Sequence, residues 1–322
     1  MEKNIDEVIF RDDEELFTIV GTSEAEAEKL DTTPYSYWRE TFKQLWKKPL
    51  VIICIIIIAL LVIFAIIGPW IKSYRVLGTS AETFESYQGP SWDHPFGIAG
   101  SNMGVYKNLD LWTLVWEGTR LSLMLGVVVA LIDTVLGILI GSLWGYFKWL
   151  DPIMIELRNF VSNIPSILLY ILLMQFLTPS FWTIVLVLCM FGWLGLAGFI
   201  RNQIIIIRNR EYNIASQTLG SSPKAMITHN LLPYLVSVIV TVVSTAIPEA
   251  ISSEVGLAYF NLSFQPSENV TLGQVLTLAT KDEWYTHFHL LLAPMIVIVP
   301  LTVCFFYLGL AMADATDPKN HR

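Results

Sequence analysis

Residues 50–67 read LVIICIIIIALLVIFAII, eighteen consecutive positions without a charge. At ~1.5 Å per helical residue this stretch reaches about 27 Å, close to the hydrocarbon thickness of a bilayer. Comparable runs follow at 121–147, 164–177, 181–200, 235–251 and 290–311, so six spans are expected. The 164–177 run is short and needs residues 160–163 to cross. A first run starting near residue 50 predicts a retained anchor rather than a cleaved leader. Composition agrees: 54% of residues are apolar and 15% charged, against about 25% charged in soluble domains. The fold class is therefore all-α, integral to the membrane.

Lysine and arginine placement orients the chain. With both termini inside, residues 1–49, 148–158, 201–233 and 312–322 hold fifteen of the twenty bases. The outer segments hold Lys72, Arg75, Lys107, Arg120 and Lys281. Trp46, Trp70, Trp144, Trp149, Trp182 and Trp284 sit near run ends, where indole favours the headgroup zone. Before the first run, Trp38, Phe42, Leu45 and Trp46 alternate at helical spacing with Arg39, Lys43, Lys47 and Lys48, an amphipathic helix that lies along the inner leaflet or contacts a partner. The net charge of −8 is concentrated upstream: residues 1–31 carry eleven acids against three bases, which reads as a solvated tail.

Between the fourth and fifth runs lies EYNIASQTLGSSPKAMITHNLLP, residues 211–233. Gly220 supplies the left-handed position that ends many helices. Ser222 and Pro223 are a start signal, an N-cap followed by proline at the first helical position. The stretch thus reads as helix, turn, helix, with Pro233 limiting the second arm. It is either a loop folded to shorten itself or a unit that docks into another protein.

Isolated polar residues elsewhere have two readings each. Asp133 lies midway through an apolar run and must face protein or water; it is either a pore-lining acid or an acid fixing packing against a partner. Gly137, Gly141 and Gly145 form a small-residue strip for close helix approach. Glu249 and Glu254 sit where the fifth run meets an outer loop, as gate, partner contact or wet interfacial acid. Cys54, Cys189 and Cys304 fall in three different apolar runs and read as small core or lipid-facing residues, with no metal spacing. The five histidines form no ligand set, no catalytic constellation is visible, and no Gly-Lys pair exists to build a phosphate loop. The chain is expected not to be an enzyme, to bind no cofactor or metal, and to bind no nucleic acid.

The 211–233 stretch resembles the cytoplasmic coupling loop of permease subunits of binding-protein-dependent ABC importers. That family's pattern is Glu-Ala-Ala, three residues, Gly, nine residues, Ile-x-Leu-Pro. Ala215, Gly220, Leu232 and Pro233 match it, while Ile214, Ser216 and Asn230 replace the acid, the second alanine and the isoleucine. HPFG at 94–97, GTRLSLMLG at 118–126, DPIMIELRNFVSNIPSILL at 151–169, EVGLAYFNLSFQPS at 254–267 and GLAMADATDPK at 309–319 are similar, in order, to the oligopeptide and dipeptide permeases of C type. The family's Gly-Arg-Asp after HPFG is replaced by SNMGVYKN.

The resemblance implies a six-helix type I importer permease forming half of an oligopeptide pore in the bacterial plasma membrane. Its partners would be a second permease, two ATPase subunits carrying ATP and magnesium, an external peptide-binding protein, the peptide and lipid. The implied coupling residues are Glu211, Ala215, Ser216, Gly220, Ser222, Pro223, Leu232 and Pro233; Asp133 and Glu254 are candidate pore or partner contacts. The implied organisation is an acidic tail at 1–34, an interfacial helix at 35–49, a first span at 50–67 and an extracytoplasmic loop at 68–120. A five-helix core follows at 121–311, with the coupling loop at 201–233 and an outer loop at 252–289, then a tail at 312–322. Alternatives are a nickel or other small-solute permease, and a non-transporting receptor or scaffold of the same fold.

Overall fold

The computed structural model describes residues 37–72, 74–76, 81–264 and 270–316. The acidic tail, the Trp38 side chain, Gln265-Pro266-Ser267 and the end from residue 317 lie outside the described residues. The chain divides into residues 1–39 and 40–322; apart from Tyr37–Arg39 at the start of the first helix, the features below belong to the second. The described residues form helices with no strand among them.

α1 (Tyr37–Trp46) leads into α2 (Pro49–Ile71), 23 residues with Pro at its first turn. α3 (Leu111–Tyr146) has 36 residues, about 54 Å at the usual rise and well beyond the ~30 Å of hydrocarbon. It begins ten residues before the apolar run at 121, because Asp110 caps it: its Oδ2 accepts from the Thr113 N–H and hydroxyl, each at 2.8 Å. Asp110 Oδ1 also meets His94 Nδ1 at 2.8 Å. A cap with two further partners outweighs the poor hydropathy of Glu117 and Arg120.

α4 (Asp151–Ser162) and α5 (Ser166–Met174) are bent by 85° at their break. The expected third span is thus a broken pair, since Pro165 removes a donor and disfavours helix at the residue before it. α6 (Phe181–Arg208), α7 (Glu211–Thr218), α8 (Leu232–Tyr259), α9 (Leu272–Lys281) and α10 (His289–Thr316) complete the set. Four helices are long and apolar enough to cross a membrane, and six spans result if each of two bent pairs counts as one.

α3 packs most extensively on α6. Gly137, Gly141 and Gly145 face Leu196, Ala197 and Ile204 of α6, so the small-residue strip serves packing within this chain. At Gly141 an added Cβ would lie 2.6 Å from the Ala197 carbonyl oxygen, a contact with backbone that cannot be relieved by a rotamer change. Below the strip, Arg201 of α6 forms a bidentate pair with Asp151 at 2.9 and 2.6 Å, and Trp144 donates to the same carboxylate at 2.8 Å. Trp144 is buried within the chain, and its N–H has a fixed acceptor there. Arg208 closes the end of α3 by donating to the Gly145 and Tyr146 carbonyls at 3.1 and 2.6 Å, a cation where the helix dipole is negative.

Four apolar clusters hold the helices. One joins the 81–110 segment to the start of α3, α9 and α10; a second joins α3, α5, α6 and α8; a third seats residues 226–235 on α6; a fourth packs Leu45 and Val51 against Ala311 and Ala315. Lys48 reinforces the last through an ion pair with Asp314 at 3.1 Å.

Candidate functional site

Residues 211–231 form an exposed hairpin. α7 starts at Glu211 and ends in a double hydrogen-bonded C-cap: the Gly220 N–H donates to the Gln217 carbonyl at 3.0 Å and the Ser221 N–H to the Ser216 carbonyl at 3.1 Å. Gly220 takes φ +88° with no atom near its missing side chain, so backbone conformation, not space, demands glycine here. The second arm opens at Ser222, whose hydroxyl accepts from the Ala225 N–H at 3.3 Å, with Pro223 in the first turn. It continues as a π-helical turn, Met226–Leu231, directly into α8. Pro233 was expected to limit this arm; it instead stands in the first turn of α8, where a proline lacks no needed donor. The bend, of 69°, falls between Val236 and Ile239.

The two arms differ in what they bury. Met226 is enclosed, and Ile227 and Leu231 pack in one cluster with Ile200, Ile204 and Ile207 of α6, so the apolar side chains of this arm are buried in the protein. α7 carries the exposed apolar surface: Tyr212, Ile214 and, above all, Leu219, 87% exposed beside Gly220. Glu211, Ala215, Gly220, Ser222 and Pro223 are exposed with it, while Ser216 is half-buried and faces Asn230. Leu232, half-buried, packs on the cluster at the hairpin's root.

Asn213, which sequence reading passed over, and Asn230, read only as a departure from the family pattern, join the two arms. Asn213 is completely enclosed; its amide donates to the Ile207 carbonyl at 2.9 Å and its oxygen accepts from Asn230 Nδ2 at 3.2 Å. Asn230, which occupies the family's isoleucine position, thus has a polar partner waiting. The only signal in the sequence was the pair of asparagines on opposite arms.

Asp133 lies far from the hairpin, between α3, α6 and α8. It lines a cavity of about 310 Å³ with Glu249, Tyr170 and Ser253, and all but Asp133 of these also line an adjoining one of about 820 Å³ between α5, α6, α8 and α10. Asp133 Oδ1 is enclosed without a hydrogen-bond partner, and the bare face of Gly192 receives the carboxylate. This is a groove with two carboxylates in an otherwise apolar and hydroxyl-bearing wall.

Glu254 belongs to neither place. Expected as a pore or partner contact or as a wet interfacial acid, it is 0% exposed. Its Oε1 accepts from Thr271 at 2.6 Å and Ser263 at 2.8 Å, tying both ends of the outer segment to α8. Thr271 in turn caps α9 in a capping box with Gln274, and Gln274 accepts from Tyr106 at 3.0 Å and donates to the Phe264 carbonyl at 2.6 Å. Burial raises the Tyr106 pKa far above the usual phenol value, with a smaller push from Glu254, so Tyr106 remains a hydroxyl donor. Glu254→Ala leaves two buried hydroxyls without their acceptor, at about 1–3 kcal/mol each. Limited proteolysis between residues 262 and 271 should accelerate severalfold in that variant, with Glu254→Gln intermediate.

Among the described residues no cluster of three or more metal-ligating side chains exists. The chain matches the family model described as the binding-protein-dependent transport system inner membrane component over residues 134–322. Residues 36–90 match the N-terminal TM domain of oligopeptide transport permease C. The chain is 32% identical to the oligopeptide transport system permease protein AmiD of Streptococcus pneumoniae, over 96% of this chain and 99% of that protein. It is 31% identical to the dipeptide transport system permease protein DppC of Bacillus subtilis, over 96% and 94%, and 27% identical to the OppC oligopeptide permease of that organism, over 94% and 97%.

Proposed function

We propose that this chain, which belongs to the binding-protein-dependent transport system inner membrane component family, forms half of the pore of an ATP-driven oligopeptide importer. It is a multi-pass membrane protein of the type I importer permease fold and not an enzyme. The observation that carries the proposal is the exposed α7 hairpin on a chain whose full length is similar to such permeases.

In this reading the hairpin lies in the cytoplasm, as do both termini, on the side favoured by lysine and arginine. Leu219, Tyr212 and Ile214 seat in a partner ATPase that binds ATP and magnesium. A rigid second arm, buried on α6 and continuous with α8, carries the push into the membrane. That continuity links a displacement of α7 to the part of α8 before its 69° bend. The groove lined by Asp133, Glu249 and Tyr170 is this chain's wall of the path, and a second permease supplies the opposite wall. An extracellular binding protein presents the peptide. Two carboxylates suit a peptide's ammonium groups without selecting side chains, as a peptide route requires.

The test is uptake by proteoliposomes containing this chain with its partner permease, two ATPases and a peptide-binding protein. Labelled tetrapeptide should accumulate with ATP, and nickel should not. Nickel accumulation without peptide uptake would replace the cargo and keep the fold.

A further inference from the structure

We propose that the pocket between the ends of α2 and α3 holds the phosphate of an anionic membrane phospholipid. The pocket, about 280 Å³, is lined by Pro69, Trp70, Tyr74, Arg75, Glu117 and Arg120. On this side of the membrane the chain has only five bases, and two of them meet here. Neither guanidinium has a hydrogen bond or a close ion pair among the described residues, although Arg120 acts on the Glu117 carboxylate at longer range. The neighbouring Lys72 does have one, pairing with Asp93 at 3.7 Å. Glu117 shares the pocket and offsets one charge, leaving a net positive site.

The level of the pocket identifies the occupant. The first apolar run ends at residue 67 and α2 at Ile71, and the apolar run of α3 starts at Leu121, so the arginines stand where hydrocarbon gives way to headgroups. Trp70, 80% exposed, marks the same boundary. Below Arg120, Met124, Val127 and Leu131 follow at helical spacing and are all exposed, an apolar track for an acyl chain. On α2, Ile66, Ile67 and Ile71 are exposed as well. A free anion would use the arginines alone; a phospholipid uses the arginines and the track. Guanidinium is the group best matched to a phosphate. The proposal needs the membrane placement of α2 and α3 but not the peptide cargo, so either can fail without the other.

The experiment is native mass spectrometry of the delipidated transporter complex, full-length chain included, titrated with phosphatidylglycerol, phosphatidylcholine or inorganic phosphate. Wild type should retain phosphatidylglycerol in preference to phosphatidylcholine, and millimolar inorganic phosphate should not displace it. Each arginine near a charged membrane surface contributes about fivefold, so Arg75→Gln with Arg120→Gln should weaken retention roughly thirtyfold. The double Arg→Lys variant should keep most of it, and Lys281→Gln all of it. Unchanged retention in the double glutamine variant overturns the proposal. So does displacement by phosphate alone, or an Arg→Lys variant as weak as the glutamine one. A pocket that takes no lipid in the complex because another subunit covers it overturns it too.

Discussion

Leu219→Asp is expected to abolish ATP-driven peptide uptake while the protein inserts and unfolds as wild type. The side chain is 87% exposed, so its replacement touches nothing in this chain, and surface substitutions of this kind stay within about 0.5 kcal/mol of wild-type stability. The loss falls entirely on docking. An apolar anchor turned into a carboxylate must be desolvated or left at a gap. Such a change costs about 2 kcal/mol or more of interface energy, roughly thirtyfold in affinity. Co-purification of the ATPase subunits with the variant reads this directly. Retained ATPase at wild-type stoichiometry would place the docking surface elsewhere. Ile214→Asp, on the same helix and also exposed, should follow Leu219; Met226→Asp should instead prevent folding, because Met226 is enclosed.

Gly141→Ala should destabilise the protein strongly for the addition of a single methyl group. Its new methyl group would meet the Ala197 backbone at 2.6 and 2.8 Å, so α3 and α6 must separate along their length. Overpacking of this kind costs about 1–3 kcal/mol and occasionally more, and it outweighs the ~0.5–1 kcal/mol that alanine gains over glycine in a helix. Gly195→Ala is the control: nothing lies within 4 Å of its missing side chain, so only the propensity gain remains. Unfolding in SDS or by heat in detergent should show Gly141→Ala at a lower midpoint and Gly195→Ala at or above wild type. Equal midpoints would mean that the helix pair is not held by close backbone approach.

The parts that sequence made legible are those written locally. Six apolar runs are continuous in the chain, and hydropathy finds them. The α7 hairpin announces itself through Gly220, Ser222 and Pro223, whose conformational preferences act within a few residues. What was missed depends on residues far apart. Asp110 extends α3 upstream because Thr113 and His94 meet it, and no hydropathy window sees that. Trp144 is buried against Asp151, which Arg201 fixes from another helix. Glu254 seemed wet until Thr271 and Ser263 closed on it. The break between α4 and α5 was visible in Pro165, but a short apolar run invites reading as a full span. At the hairpin, the exposed face of α7 could be guessed from spacing; the Asn213–Asn230 hydrogen bond that joins the arms could not.

Gly220 offers the most direct test of coupling. Proline there cannot adopt φ +88° and loses the N–H that bonds Gln217, so the turn between the arms must reform while the spans stay inserted. Peptide uptake and ATP hydrolysis would be measured together in reconstituted complexes of wild type and Gly220→Pro. The account requires wild-type uptake that depends on ATP, and a variant that either loses its ATPase or hydrolyses ATP without moving peptide. Equal uptake by both would reduce residues 211–231 to a folded loop and contradict the coupling mechanism.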